Sequence, residues 1–266
     1  MKIPYFEVDA FTDRQFGGNP AGVCLPETWP SDAVMQNIAA ENNLPETVFV
    51  VAGASDFALR WFTPKVEIDL AGHPTLAAAF VLFQEGRASG ELIRFRSRTA
   101  ELTVTRRDDL LEMDFPARPG DPCPVPPALI QGLGRRPIEV LKARDYLAVF
   151  VQASEVRELQ PDFAALGSLD TLGIIATAPG EDCDFVSRFF APAAGIPEDP
   201  VTGSAHCTLI PYWSDRFGRT RLRARQVSPR GGDLWCEARG DRVGIAGKAV
   251  LYSRGQIEIH DAKTVR

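Results

Sequence analysis

RWFTP at Arg60–Pro64 returns as RFFAP at Arg188–Pro192. Each copy leads through an acidic residue and a glycine into an apolar, helix-like run: DLAGHPTLAAAFVLF from Asp69 to Phe83, and EDPVTGSAHCTLIPYW from Glu198 to Trp213. A repeat spaced by roughly half the chain predicts two related half-domains rather than a solenoid, whose repeats run about 20–50 residues. A pair of such halves is expected to leave one cleft between them.

The remaining sequence fits that frame. The 266 residues, 45% of them hydrophobic, are enough for one or two full cores. PARPGDPCPVPP, Pro116–Pro127, holds six prolines in twelve residues. Strand and helix interiors exclude such a density, so the stretch reads as a stiff extended connector. It sets the expected domains at 1–117 and 118–266, with the last strand free to cross back to the first domain. A net charge of −6 and a pI near 5.2 argue against a nucleic-acid partner, which would require a basic face. Arg219, Arg221, Arg223 and Arg225 alternate with Thr220, Leu222 and Ala224, the period of a strand with one solvated face. Five cysteines without a CxxC pair predict neither a disulfide framework nor a zinc site, and fit reduced thiols in the cytoplasm. No apolar run reaches the length of a membrane span, and the first residues lack the apolar core of a signal peptide.

The order of elements also repeats. Strands are expected at 3–11 and 21–25, a helix at 31–42 with Ser31 as N-cap and Val34, Met35, Ile38 and Ala39 on one face, and strands at 47–52 and 58–62. The first glycine-led helix then runs to Phe83, followed by strands at 92–95, 102–105 and 110–115. After the prolines come strands at 138–141 and 146–151, a helix around 161–166, strands at 173–178 and 184–190, the second glycine-led helix and further strands. Pro74 suits the first helical position, and LAAAFVLF is apolar on every side, so that helix must be enclosed. In a half built mostly of strands, a curved sheet closed around the helix achieves this. Ser204–Trp213 has the same character, with Pro211 expected to kink or end it. The predicted class is therefore α+β: two pseudo-symmetric domains, each a curved, mostly antiparallel β-barrel around a central apolar helix. The helix starts, with unpaired N–H groups beside a glycine, are suited to the polar or anionic groups of a small ligand.

Four stretches, VDAFTDRQFGGNPAGV (8–23), ENNLPETVFV (41–50), DLAGHPTLAAAF (69–80) and EDPVTGSAHCTLIPYW (198–213), together resemble the phenazine-biosynthesis isomerase family of the diaminopimelate epimerase-like superfamily. The resemblance covers nearly the whole chain. It implies two barrels around central helices, an active site between them, no cofactor and a homodimer. It also implies that Glu46 moves a proton, that His73 and Asp199 hold the substrate's polar groups, and that backbone around Gly203, Ser204 and Ala205 binds a carboxylate. Gly72, Pro74 and Thr75 form the matching start of the first helix. Asn19 in GGNPAG is open to two readings, a cleft residue or a plain turn.

The residues support part of this independently. Glu46 follows Pro45 at a strand start, and the symmetric position near Gly173 supplies no acid, so one half brings the base. A carboxylate taking a proton from carbon needs partial desolvation. Only three histidines occur, His73, His206 and His260, and the pattern around them does not supply a metal's three or four ligands. His73 at a helix start is expected to be neutral, and His206 to be a satisfied core residue. The paired thiols of diaminopimelate epimerase are replaced by Ala71 and Thr202, and Cys207 falls inside the second helix, where a buried thiol is inert packing. A single-carboxylate proton shift on a small unsaturated amino or hydroxy carboxylate is the preferred reading. The alternatives are a racemase or epimerase pairing Glu46 with a non-thiol partner, and a metabolite-binding protein without turnover. The family's reference substrate is trans-2,3-dihydro-3-hydroxyanthranilate.

Overall fold

The structure is a computed structural model that describes residues 1–259; His260, one of the three histidines considered above, lies outside them. The chain runs β1 (Lys2–Ala10), β2 (Asn19–Cys24), α1 (Asp32–Asn42), β3 (Glu46–Ala52), β4 (Phe57–Phe62), β5 (Glu67–Ile68), α2 (Gly72–Gln84), β6 (Leu92–Arg96), β7 (Glu101–Arg107) and β8 (Leu110–Pro116). It continues through β9 (Asp121–Pro122), α3 (Pro127–Leu133), β10 (Glu139–Lys142), β11 (Tyr146–Val149), α4 (Ala153–Arg157), α5 (Phe163–Gly167), β12 (Ile174–Pro179) and β13 (Phe185–Ala191). A 3₁₀ turn (Pro192–Ala194), β14 (Ile196–Asp199), α6 (Gly203–Phe217), β15 (Arg221–Gln226), β16 (Gly232–Arg239), β17 (Arg242–Gly247) and β18 (Ala249–Glu258) complete it.

Two compact units result. Unit 1 is Met1–Asp114 with the stretch from Ala246 onward, and unit 2 is Phe115–Ile245. The last strand, which the expected bounds left free to cross back, lies with the first unit: β18 pairs antiparallel with β1 from Lys2↔Glu258 to Ala10↔Ala249 and belongs to unit 1. The proline-rich stretch is more than a connector. Its Asp121–Pro122 pairs with β10, and Pro127 opens α3, where a missing N–H leaves no helical bond unmade.

In unit 1, Ser31 Oγ accepts the Val34 N–H at 3.4 Å and starts α1; Asn43, left-handed at φ 50°, ends it. The face Val34, Met35, Ile38, Ala39 packs on Phe49, Phe62, Cys24 and Ile3. Helix α2 buries every residue from His73 to Ala79, plus Val81 and Leu82, and packs against β1, β2, β3 and β18. Its enclosure by strands follows from having no polar face to offer water. Pro74 lies at the third helical position rather than the first, still within the turn whose N–H groups have no helical partner.

In unit 2, α6 continues to Phe217 through Pro211, so of the two expected outcomes, a kink or an end, the proline does not end the helix. Proline at 211 removes the donor that the Cys207 carbonyl would otherwise receive. The Arg118 N–H supplies the missing bond at 2.8 Å, so the helix loses no hydrogen bond at that carbonyl. Beyond the proline, Trp213 stacks on Phe185 with ring centres 5.8 Å apart and donates to Thr177 Oγ1 at 3.0 Å. The arginines of β15 are ion-paired: Arg221 with Glu237, Arg223 with Asp233, and Arg225 with both Asp182 and Asp233.

The two units share their strand registers. Thr47, Val48 and Phe49 face Phe62, Trp61 and Arg60; Ile174, Ile175 and Ala176 face Phe190, Phe189 and Arg188. The preceding strands pair in parallel in both units, β2 with β3 and β11 with β12. The repeated arginines make repeated ion pairs: Arg60 grips Glu67 at 2.7 and 2.6 Å, and Arg188 grips Glu198 at 2.7 and 2.9 Å.

Candidate active site

Glu46 opens β3 directly after the left-handed Asn43 and Pro45, which turn the chain from α1 into the strand. Asn42 Nδ2 donates to Thr47 Oγ1 at 3.1 Å and ties the helix end to that strand start. A Cβ at Gly22 would lie 3.0 Å from Thr47 Oγ1 and 3.2 Å from Asn42 Nδ2, so a side chain there would press on the tie. His73, the second residue of α2, brings Nε2 to 3.1 Å from Glu46 Oε2. Both side chains are largely buried, at 7% and 12% exposure.

The His73 ring also engages the backbone of Pro20, which offers only a carbonyl. Since Nε2 faces Glu46, the proton on the ring is at Nδ1 and is donated to that carbonyl. Burial lowers the His73 pKa from 6.5 to about 3, and the Pro20 bond opposes this only in part. The ring is therefore neutral as expected, with desolvation as the main cause. A neutral ring of this tautomer can only accept at Nε2. A hydrogen bond from Glu46 to that atom would therefore require the carboxyl to be protonated.

Asn19 starts β2, fully buried. Thr75 is also buried, and its hydroxyl is committed: it accepts from Trp61 Nε1 at 3.0 Å and donates to the Ala71 carbonyl at 2.6 Å. Its side chain serves the start of α2. Ala71 caps α2 and Thr202 caps α6 without any side-chain cap bond, unlike Ser31 on α1 and Asp162 on α5.

In unit 2, Asp199 ends β14 and accepts the Thr202 hydroxyl at 2.5 Å. Gln226 clamps the same loop. Its Oε1 accepts the Thr202 N–H at 2.9 Å, and its Nε2 donates to the Asp199 carbonyl at 2.7 Å. Sequence reasoning missed Gln226, although the signal was present: the inward set of β15 is Leu222, Ala224, Gln226, one step beyond the arginine alternation. Gly203 and Ala205 are buried in the first turn of α6, and Ser204 Oγ accepts from Arg144 Nη2 at 2.9 Å. His206 is only half satisfied. Nδ1 meets the Thr202 carbonyl at 2.8 Å, Nε2 has no hydrogen-bond partner among the described residues, and burial takes the ring's pKa down to about 4. Cys207 is buried in α6 with its thiol pushed up to about 11 by desolvation, a poor nucleophile. Among the described residues no three His, Cys, Asp or Glu side chains are grouped to hold a metal, and no helix is long and apolar enough to cross a membrane.

The family described as Phenazine biosynthesis-like protein matches residues 8–255. An uncharacterized isomerase of Pseudomonas aeruginosa is 49% identical over 97% of this chain and 100% of its own length. The human phenazine biosynthesis-like domain-containing protein is 37% identical over 97% and 99%. The crystal structure of a PhzF family protein from Enterococcus faecalis aligns with a TM-score of 0.96 and 47% identity, covering 97% of this chain and all of that one. A hydroxyproline epimerase from Agrobacterium vitis, 10% identical with a TM-score of 0.62 over 98% and 93% of the two chains, shares the fold.

Proposed function

This chain belongs to the phenazine biosynthesis-like (PhzF) family and is an isomerase, and we propose that it works without a cofactor, with Glu46 as the group that takes a proton from one carbon of a small unsaturated amino or hydroxy carboxylate and returns it to another. The observation that carries this is the buried 3.1 Å contact between Glu46 and a neutral His73. Ionised, Glu46 is the base; once protonated, it donates toward Nε2 and is held in place, ready to give the proton back. A carboxyl that receives and releases one proton, next to a neutral acceptor that stabilises the protonated form, fits general acid–base catalysis. The pair also argues against two-base racemisation by Glu46 and His73. Groups within hydrogen-bonding distance of each other share one proton and cannot flank a carbon from opposite faces.

Asp199, with its carboxylate braced by Thr202, and the backbone at Gly203, Ser204 and Ala205 are proposed to hold the substrate's polar groups, and the first turn of α2 to stabilise charge as it develops. The test is NMR of trans-2,3-dihydro-3-hydroxyanthranilate and a panel of cyclic amino acids in D₂O. Double-bond migration or deuterium uptake with wild type, lost in Glu46→Gln, is the expected result. Uptake that survives Glu46→Gln refutes the assignment. Loss of optical rotation without a change in absorbance would establish the epimerase reading instead.

A further inference from the structure

We propose that Gln226 and Thr202 are positioning residues for the reaction: they act through Asp199, keeping its carboxylate a hydrogen-bond acceptor held in one orientation. The inference rests on the proposed function, in which Asp199 holds a polar group of the substrate.

Two backbone groups fix the direction of every bond in this cluster. The Thr202 N–H can only donate and the Asp199 carbonyl can only accept, and Gln226 meets the first with Oε1 at 2.9 Å and the second with Nε2 at 2.7 Å. The side-chain amide therefore has one orientation, since turning it over would break both bonds. Its second Nε2 hydrogen reaches Thr202 Oγ1 at 3.2 Å. The hydroxyl accepts there, and its own single hydrogen goes to Asp199 Oδ2 at 2.5 Å, the only acceptor for it among the described residues. Asp199 is thereby an acceptor at that oxygen. Gln226 and Thr202 are both buried, Gln226 completely, so little water competes for these bonds.

The duplicated frame does not require this arrangement. Ile68 pairs with Trp61 as Asp199 pairs with Phe189, and Ala71 precedes α2 as Thr202 precedes α6. Ser97 follows Arg96, the partner of Ala58, as Gln226 follows Arg225, the partner of Val186. Unit 1 thus holds Ile68, Ala71 and Ser97 in the three places, and Ser97 Oγ donates to the Ala100 carbonyl at 2.9 Å instead. The bond to the cap carbonyl, by contrast, is common to both units: Thr75 Oγ1 donates to Ala71, and His206 Nδ1 to Thr202. A central helix therefore starts from this turn without the three polar side chains. Burying them in unit 2 carries a desolvation cost that the frame does not impose. The group they hold is the Asp199 carboxylate, on a residue that stays partly exposed.

The experiment uses Thr202→Ala, Thr202→Ser and Gln226→Leu. Thr202→Ala installs the residue that unit 1 carries at this place, so it is expected to melt close to wild type. With trans-2,3-dihydro-3-hydroxyanthranilate in the NMR assay, Thr202→Ala and Gln226→Leu should raise KM roughly 10- to 100-fold, the worth of a hydrogen bond to a charged group, and change kcat by less than about 3-fold. Thr202→Ser should restore KM, and Glu46→Gln should lower kcat instead. In an Asp199→Asn background, Thr202→Ala should add less than about 2-fold, because its effect passes through the carboxylate. A second readout needs no substrate: ¹³C NMR of aspartate-labelled protein at pH 7, with Asp199 assigned by its loss in Asp199→Asn. An ionised carboxylate is expected, with a signal that moves in Thr202→Ala and Gln226→Leu and is kept in Thr202→Ser. A protonated Asp199, or a signal indifferent to Thr202→Ala, would overturn the inference. So would KM losses that follow the melting temperature and persist in full in the Asp199→Asn background. Absence of turnover in wild type would count against the proposed function, and the carboxyl signal would then decide the inference by itself.

Discussion

Position 46 in unit 1 and position 173 in unit 2 occupy the same place in the shared register, one residue before Thr47 and Ile174. One is a glutamate beside a buried histidine. The other is a glycine, and a Cβ added there would lie 2.3 Å from the ring of Phe189, the counterpart of Trp61. The next layer differs in the same sense. His73 and Ser204 are both second residues of their central helices, but His73 meets a backbone carbonyl of β2, whereas Ser204 meets the Arg144 guanidinium. The duplicated frame, with its registers and its Arg–Glu clamps, is kept in both units. What sits on it has diverged, into a buried carboxylate–imidazole contact in unit 1 and a serine–guanidinium contact in unit 2.

Removing the one feature that has no counterpart should have the largest effect. Glu46→Gln is expected to lower turnover by about 10³-fold with little change in melting temperature, measured by the NMR assay and by calorimetry. Next come the clamps, where likeness of geometry conceals a difference in cost. Arg188 also donates to the carbonyls of Val156, Arg157 and Leu159, and Glu198 has no second cation among the described residues. Arg188→Met should therefore cost about 3–5 kcal/mol in urea unfolding. Arg60→Met leaves Glu67 with Arg98 at 3.0 Å and should cost only about 1 kcal/mol. Equal losses would mean that the two clamps carry the same load. Gly173→Ala must displace the buried Phe189 ring and is expected to cost about 1–3 kcal/mol; a neutral outcome would show that the ring yields freely.

The duplication, the enclosed helices, the Ser31 cap and the buried face of α1 were legible because each is a local pattern in the sequence. Glu46 and His73 were legible individually, through strand start, helix start and family resemblance. Their contact was not, because it joins β3 to α2 through tertiary packing. The return of β18 to unit 1 is a pairing between opposite ends of the chain, for which no local signal exists. Helix α3 was hidden inside a proline run, since proline opens helices as readily as it interrupts them. The run of α6 through Pro211 depends on a donor from Arg118, remote in sequence, and no pattern around the proline announces it.

A smaller effect should appear on acidification. His73 and His206 protonate in the unfolded chain near pH 6.5 but in the folded one only near 3 and 4. Between these values the unfolded state binds more protons, so stability is full above about pH 6.5 and declines as pH falls through the window. Urea titrations at pH 7 and pH 5 should show the decline, and His206→Gln should flatten it. A wild-type curve without that decline would contradict the burial of neutral rings.

The most direct test of the proton-bearing pair needs no substrate: ¹⁵N NMR of histidine-labelled protein across pH, with His73 assigned by its loss in His73→Gln. The account predicts a neutral Nδ1–H ring at pH 7 that stays neutral to about pH 4, with an Nε2 shift that changes in Glu46→Gln. An imidazolium at pH 7, or a ring protonated at Nε2 and indifferent to Glu46→Gln, would contradict it.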